Sequence, residues 1–425
     1  MKTNKYLLLL ILLIAITVGC KKESVIAPVV STLSVSHAHK NENLTIRGSN
    51  FGTDLSKISV TINGKSCTVI SATDSTIVIQ IPPKCGSGDV IVTVNGASSN
   101  RFGFVYDWTT TIISLNDGST GNVDGSLSSS KWEEQSGLCI DDADNIYTGS
   151  FNYPRVRKIS ADLSTVITIA GDGTDGNVNA QGTNAKLGRS DNLAVDASGN
   201  VYIGDESNSS VRKIDASGNV TTFFSVSNPQ CIKIGKLGNI YVANLETIFK
   251  FNSAGVLQWK ITSHGTGSID GDSSIAQFSG IQGISFGNLT IDDNEQNIYF
   301  ANLGVGLSSQ IKKLNTTTMN ISTIAGTTTA GSADGAALSA SFNLISGLAL
   351  DQDGGLFISD GFNHKIRYLK DGQVSTIIGT PGMGDVDGDA SVAKINYPVG
   401  IDINSSGEIF IACIGNNKIK KLVID

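Results

Sequence analysis

Six times between Gly137 and Cys413 the chain repeats two short apolar runs joined by a turn rich in Asp, Asn and Gly. The copies are GLCIDDADNIYTGS (Gly137–Ser150), NLAVDASGNVYIGD (Asn192–Asp205), CIKIGKLGNIYVAN (Cys231–Asn244), NLTIDDNEQNIYFAN (Asn288–Asn302), GLALDQDGGLFISD (Gly347–Asp360) and GIDINSSGEIFIAC (Gly400–Cys413). A third apolar run follows each, opening at Val156, Val211, Ile248, Ile311, Ile366 and Ile419, and five copies carry a fourth. The most regular copy is Ser346–Gly379, with runs at Leu348–Leu350, Leu356–Ile358, Ile366–Leu369 and Val374–Ile378. Asp-Gly-Gly, Gly-Phe-Asn-His and Asp-Gly separate these runs. Such residues tolerate positive φ and stabilise tight turns, so the unit reads as a four-stranded antiparallel meander. One meander cannot bury both its faces, and six copies packed in a ring can. The sixth copy lacks a fourth run, but a strand of that type, TTIISL at Thr110–Leu115, stands alone before the first copy. If it completes the last sheet, the ring closes with no open edge. The expected fold over residues 108–425 is a six-bladed β-propeller.

The composition agrees with an all-β chain: Gly is abundant at 47 residues and charge sparse at 16%. A net charge of −7 without a basic stripe argues against nucleic acid as a partner.

Residues 1–20 read as a targeting segment, with Lys2 and Lys5 ahead of an apolar core at Tyr6–Val18. That core is short for a membrane-spanning helix and suits a secretory signal. Ending in Thr17-Val18-Gly19-Cys20, it resembles a bacterial lipoprotein signal. The resemblance implies that Cys20 is lipidated and becomes the mature N-terminus. Residues 21–28 would then be a tether to the outer membrane or cell surface.

Residues 29–107 carry short alternating strands at Asn43–Arg47, Ile58–Ile62, Thr68–Ser71, Thr76–Ile81 and Asp89–Val94, with turns at Asn63-Gly64 and Asn95-Gly96. The pattern predicts a β-sandwich of immunoglobulin type. LTIRGSNFG (Leu44–Gly52), VTINGKSCTVISATDSTIVIQIPP (Val60–Pro83) and GSGDVIVTVNG (Gly86–Gly96) resemble an IPT/TIG domain. Such domains act mostly as spacers or partner-binding modules. In the oxidising compartment that the signal implies, Cys67 and Cys85 are expected to pair, at about 3 kcal/mol of stabilisation. His37 and His39 read as exposed polar residues, with a metal role as the alternative.

The propeller repeats resemble NHL repeats, most closely at Asp360-Gly-Phe-Asn-His-Lys-Ile-Arg367. In a meander propeller the loops from second to third strand share a face with the loops between blades. Five of those inter-blade connections carry an insert, starting at Asn122, Asn177, Ser268, Ser332 and Asp385; Ser225–Gln230, leading into blade 3, does not. A ligand is expected on this tall polar face. The candidates are Phe151, Tyr153, Asp205, Asn244, Asn302, Asp360 and Phe362. Asp205, Asp360, Asn208, Asn363 and His364 sit at repeat positions, which favours a turn-holding role for them. The Asp-Gly pairs at Asp124, Asp270, Asp334 and Asp387 favour turns over calcium, since no regular further ligands accompany them. Trp132 aligns with Phe278 and Phe342 and reads as core. Cys139 and Cys413 read as small buried residues.

No catalytic residue and no cofactor is assigned. The propeller holds only His264 and His364, so the three-histidine zinc site of some NHL-like lyases cannot be built. The leading expectation is a surface-anchored binding protein. Its loop face would hold a glycan or extracellular protein, with the IPT/TIG domain as spacer. The alternatives are a metal-dependent lyase or hydrolase acting on a saccharide or lactone, using Asp205, Asn244, Asn302 and Asp360, and a structural scaffold.

Overall fold

A computed structural model describes residues 26–425 apart from Lys84, Trp108, Asp191, 279–288, Thr380, Pro381 and Asp425. The leader, Cys20 and most of the tether lie outside the described residues. The chain forms two compact units, meeting in sequence at Trp108 and Thr109.

The N-terminal unit packs two sheets face to face. One runs Val29–Leu33, Asn43–Ser49, Thr76–Gln80, Thr68–Ala72. The other runs His37–Ala38, Phe102–Tyr106, Gly88–Val94, Ile58–Ile62, Lys65–Ser66, with Ala97–Ser98 beside Gly88–Val94. Alternate residues point inward, so Leu44, Ile46, Val60, Ile62, Ile77, Ile79, Val90 and Val92 make one buried core. Both predicted Asn-Gly turns form, with positive φ at Asn63, Gly64, Asn95 and Gly96.

The expected Cys67–Cys85 bond is absent, and both residues are free thiols. They are nonetheless neighbours. Asn63 and Lys65 of the preceding hairpin donate to the carbonyls of Cys85 and Pro83, drawing that loop towards Cys67. Burial and then the nearby Cys85 push the Cys67 thiol up to about 12.

The C-terminal unit is the six-bladed propeller. Its innermost strands are Gln135–Ile140, Leu193–Val195, Cys231–Ile234, Leu289–Ile291, Ile345–Leu350 and Pro398–Ile403; each touches the next, and the last returns to the first. The blades crowd closely at the axis. A Cβ on Gly347 would lie 2.2 Å from the Val399 carbonyl oxygen, and one on Gly400 would lie 2.5 Å from that of Ser136. Blade 6 closes as expected: Thr110–Ser114 pairs antiparallel with Lys418–Ile424, Ile112 opposite Leu422. A feature not anticipated is a fifth, two-residue strand that the inserts add outside blades 1, 4, 5 and 6, at Gly125–Ser126, Gly271–Asp272, Gly335–Ala336 and Gly388–Asp389. It covers the outer edge of each sheet.

Candidate functional site

The inserts reach back over their own blades and meet a cation there. Asp124 accepts from the Arg157 guanidinium at 2.8 Å and from Thr168 N at 2.7 Å. Asp334 does the same with Arg367 (2.6 Å) and Thr376 N, Asp270 with Lys312 (2.7 Å) and Thr323 N, and Asp387 with Lys420 (2.6 Å) and Ser114 N. In blade 2 Asn179 accepts from Arg212 at 2.8 Å. These cations come from one position of the third strand and are fully or almost fully buried. At that position blade 3, which has no insert, carries Phe249. Insert and cation are therefore one device, and the Asp-Gly carboxylates are engaged by it rather than offered to calcium. Among the described residues no group of three metal-ligating side chains is assembled.

The loops from second to third strand bond to the inserts, which sets both on one face. Asn208 donates to Gly176 O at 2.9 Å and Asn363 to Gly331 O at 2.7 Å. On this face the structure corrects several expectations. Asp205 and Asp360 are wholly buried and turn inward. Asp205 takes Arg212 at 3.1 Å, Asn208 and Gly188 N; Asp360 takes Arg367 at 2.7 Å, Asn363 and Asn343 N. Burial lifts the Asp360 carboxyl, and its three donors work against that lift. Asn244 closes its own loop, accepting from Thr247 N and donating to Ser227 O. Asp205 and Asp360 have no surface left for a ligand, and the half-buried Asn244 is engaged by its own loop. The metal set Asp205, Asn244, Asn302 and Asp360 does not converge, since each residue serves its own blade.

His364 accepts the Tyr397 N–H through Nδ1 at 3.0 Å, and burial lowers its pKa, so the neutral ring pins the blade 5 loop to the connection into blade 6. Trp132 is buried beneath Arg157, 4.3 Å from guanidinium to ring, as core. Phe151 is half-buried with the Arg189 guanidinium stacked 4.0 Å over its ring, and Arg189 also pairs with Glu206. Tyr153 and Phe362 are exposed at 41% and 39%, and Phe362 leans on Tyr397. Phe151 and Tyr153 belong to blade 1 and Phe362 to blade 5, with blade 6 between them, so they do not edge a common groove.

Asn302 is the exception among the candidates. It lines a cleft of about 250 Å³ with Thr266, Gly267, Ser268, Gly304, Ser308, Gln310 and Thr328. The sequence of blade 4 explains the opening. Asn302 stands where blades 2 and 5 have Asp205 and Asp360, and Lys312 where they have arginine. The lysine is satisfied by Asp270 and Thr323 at the insert, so no ion pair fills the space under the loop. That loop is also longer. Seven residues separate the register partners Asn302 and Gln310, against four between Asp360 and Lys365. Gln310 is held by the Ser268 hydroxyl and by Gly326 O. Each lining residue among those described carries a hydroxyl or an amide or is a glycine, and none of these ionises.

The sequence profile of the family described as IPT/TIG domain matches residues 28–106, the two-sheet unit described above. Residues 28–106 are an IPT/TIG domain. An Arabidopsis thaliana protein, SUPPRESSOR OF QUENCHING 1, chloroplastic, is 33% identical over 76 residues, which is 17% of this chain and 7% of that protein. The chain thus spans a small fraction of that relative. Among solved structures, a Bacteroides thetaiotaomicron protein of unknown function aligns at 22% identity and a TM-score of 0.64, covering 94% of this chain and 98% of its own. An auxiliary nutrient binding protein from the same organism aligns at 18% identity and a TM-score of 0.59, with the same coverage. Both share the fold of IPT/TIG domain and propeller.

Proposed function

We propose that the protein is an exported, lipid-anchored binding protein that takes a neutral saccharide unit of an extracellular glycan in the blade 4 cleft. The uncharged lining carries this reading. Four hydroxyls, two amides and two glycines allow close approach and offer hydrogen bonds of both senses without fixing a charge. A cleft below the usual range of about 300–1,000 Å³ suits one small polar unit rather than a large ligand. The IPT/TIG domain serves as spacer between a lipidated Cys20 and the propeller. The solved structure named as an auxiliary nutrient binding protein is in keeping with such a role.

A glycan array with the full mature chain tests the cleft. Binding is expected for wild type and for Phe362→Ala, with a loss of about tenfold or more in Gln310→Leu. Equal binding by Gln310→Leu removes the cleft from the reading. Labelling of cells with radioactive palmitate tests the anchor: wild type takes label and stays with membranes, whereas Cys20→Ala does neither. Label on Cys20→Ala excludes that anchor.

A further inference from the structure

Five of the six interfaces between blades are completed by side chains from an insert. Its last large residue sits in each shared core: Trp132 between blades 6 and 1, Leu187 between 1 and 2, Phe278 between 3 and 4, Phe342 between 4 and 5, and Ile395 between 5 and 6. The interface of blades 2 and 3 has no insert to draw on. Phe223 and Phe224, on the outer strand of blade 2 (Val220–Ser225), take part of its place beside Phe251 and Phe249 of blade 3. The ring centroids step along this row, from Phe223 to Phe249, at 5.3, 4.2 and 6.1 Å. Phe223, Phe224 and Phe249 stay only half-buried.

The missing insert also marks the outer strand of blade 3, Leu257–Thr262. Opposite the fourth residue of the third strand, the other blades set Val166, Val220, Ile321, Val374 and Ile112, all buried. In blades 1, 4, 5 and 6 an insert glycine pairs with that residue, and in blade 2 the Ala180 carbonyl accepts its N–H. Blade 3 sets Leu257 opposite Phe251 there, and Leu257 is 47% exposed. Among the described residues, no strand or bridge pairs with the outer side of Leu257–Thr262. Two substitutions accompany the bare edge. Phe249 stands in place of the buried cation, and opposite it Lys260 replaces the Thr or Ser whose N–H donates to the insert carboxylate in four blades. Lys260 is exposed, and Lys213 of blade 2 lies 5.6 Å from the centre of the Phe223 ring. Positive charge thus leaves the core here and flanks the aromatic row.

The structure assigns this edge and its aromatic row to an extended segment of a partner protein that supplies what an insert supplies elsewhere. The segment pairs with Leu257–Thr262 as a further strand, as the inserts do in four blades of this chain. It carries a carboxylate for the Lys260 N–H and ammonium, at the place where those inserts hold an aspartate. It also carries an apolar side chain that covers Phe249 and Leu257. A lysine on an edge strand deters indiscriminate pairing, and a carboxylate on the partner lifts that bar while a basic segment does not. The surface shares no residue with the blade 4 cleft.

A synthetic peptide of residues 332–342, SADGAALSASF, is the probe, because it is the blade 5 insert taken by itself. Fluorescence anisotropy with the full mature chain should show saturable binding. Binding should weaken by about tenfold or more when the peptide carries Asp334→Lys or Phe342→Ser, changes that leave the protein untouched. Hydrogen exchange across Leu257–Thr262, followed by mass spectrometry, should slow with the unaltered peptide, which places it on this edge rather than on blade 5. A Lys260→Glu protein should reverse the preference and favour the Asp334→Lys peptide. Absence of saturable binding, equal binding of the three peptides, or unchanged exchange across Leu257–Thr262 overturns the proposal. So does dimerisation of the protein alone that Leu257→Lys abolishes, since the edge then belongs to a second copy of the chain.

Discussion

Asp360→Ala is expected to destabilise the propeller by about 3–5 kcal/mol, the usual cost of removing one partner from a buried ion pair. The substitution strips the wholly buried Arg367 of its contact at 2.7 Å, leaves the Asn343 N–H without its acceptor and takes one of the two acceptors of the Asn363 amide, which keeps Gly331 O. Arg367 keeps Asp334 at 2.6 Å, so its charge is not stranded and the loss should not exceed that range. Blade 1 shows the limit of tolerance: Arg157 lives there with Asp124 alone, and the position of Asp360 is taken by Ser150. The loss is read as a fall in thermal midpoint of roughly 10 °C, at a few degrees per kcal/mol. Ligand binding at blade 4 should be unchanged in the folded variant. A ligand effect without a stability effect would return Asp360 to the binding surface and undo the structural assignment.

The blade count, the closing strand and the sandwich were legible in the sequence, because period-two patterns and Asn-Gly turns report directly on backbone pairing. Which polar residues face solvent was not. Asp205 and Asp360 look like ideal ligands in a string of letters; only the third strand's Arg212 and Arg367, seven residues on, turn them inward. That signal was available in comparing blades, since Phe249 accompanies the missing insert and Asn302 accompanies Lys312. The repeat was informative where it broke, but the break that opens a cleft lies in blade 4, not in the blades that vary most visibly. Gln310 could be found only from the register that sets it opposite Asn302.

Glu295 offers the second large effect and the sharpest test of how one blade compensates for another. In blades 1 and 2 the first turn is held by its own aspartate: Asp141 accepts from Ala143 N, Asn145 and the Tyr147 hydroxyl, and Asp196 from Ser198 N, Asn200 and the Tyr202 hydroxyl. Blade 3 has Gly235 at that place. The same three donors there, Leu237 N (2.8 Å), the Asn239 amide (2.6 Å) and the Tyr241 hydroxyl (2.9 Å), are taken by Glu295, reaching over from the turn of blade 4. A Cβ on Gly235 would lie 2.1 Å from the Glu295 carboxylate, so the glycine is what admits it. Glu295→Gly, which relieves rather than strains its φ of 53°, should cost about 2–4 kcal/mol through the orphaned donors. Gly235→Asp alone should also destabilise, by steric clash and by setting two carboxylates together. Combined, the two changes rebuild the turn of blades 1 and 2, and stability should return to within about 1 kcal/mol of wild type. That is a coupling of about 2–3 kcal/mol, at the upper end for residues in contact. Urea unfolding of the four proteins measures it. If the double variant is as unstable as the sum of the singles, Glu295 is not standing in for an aspartate that blade 3 lacks.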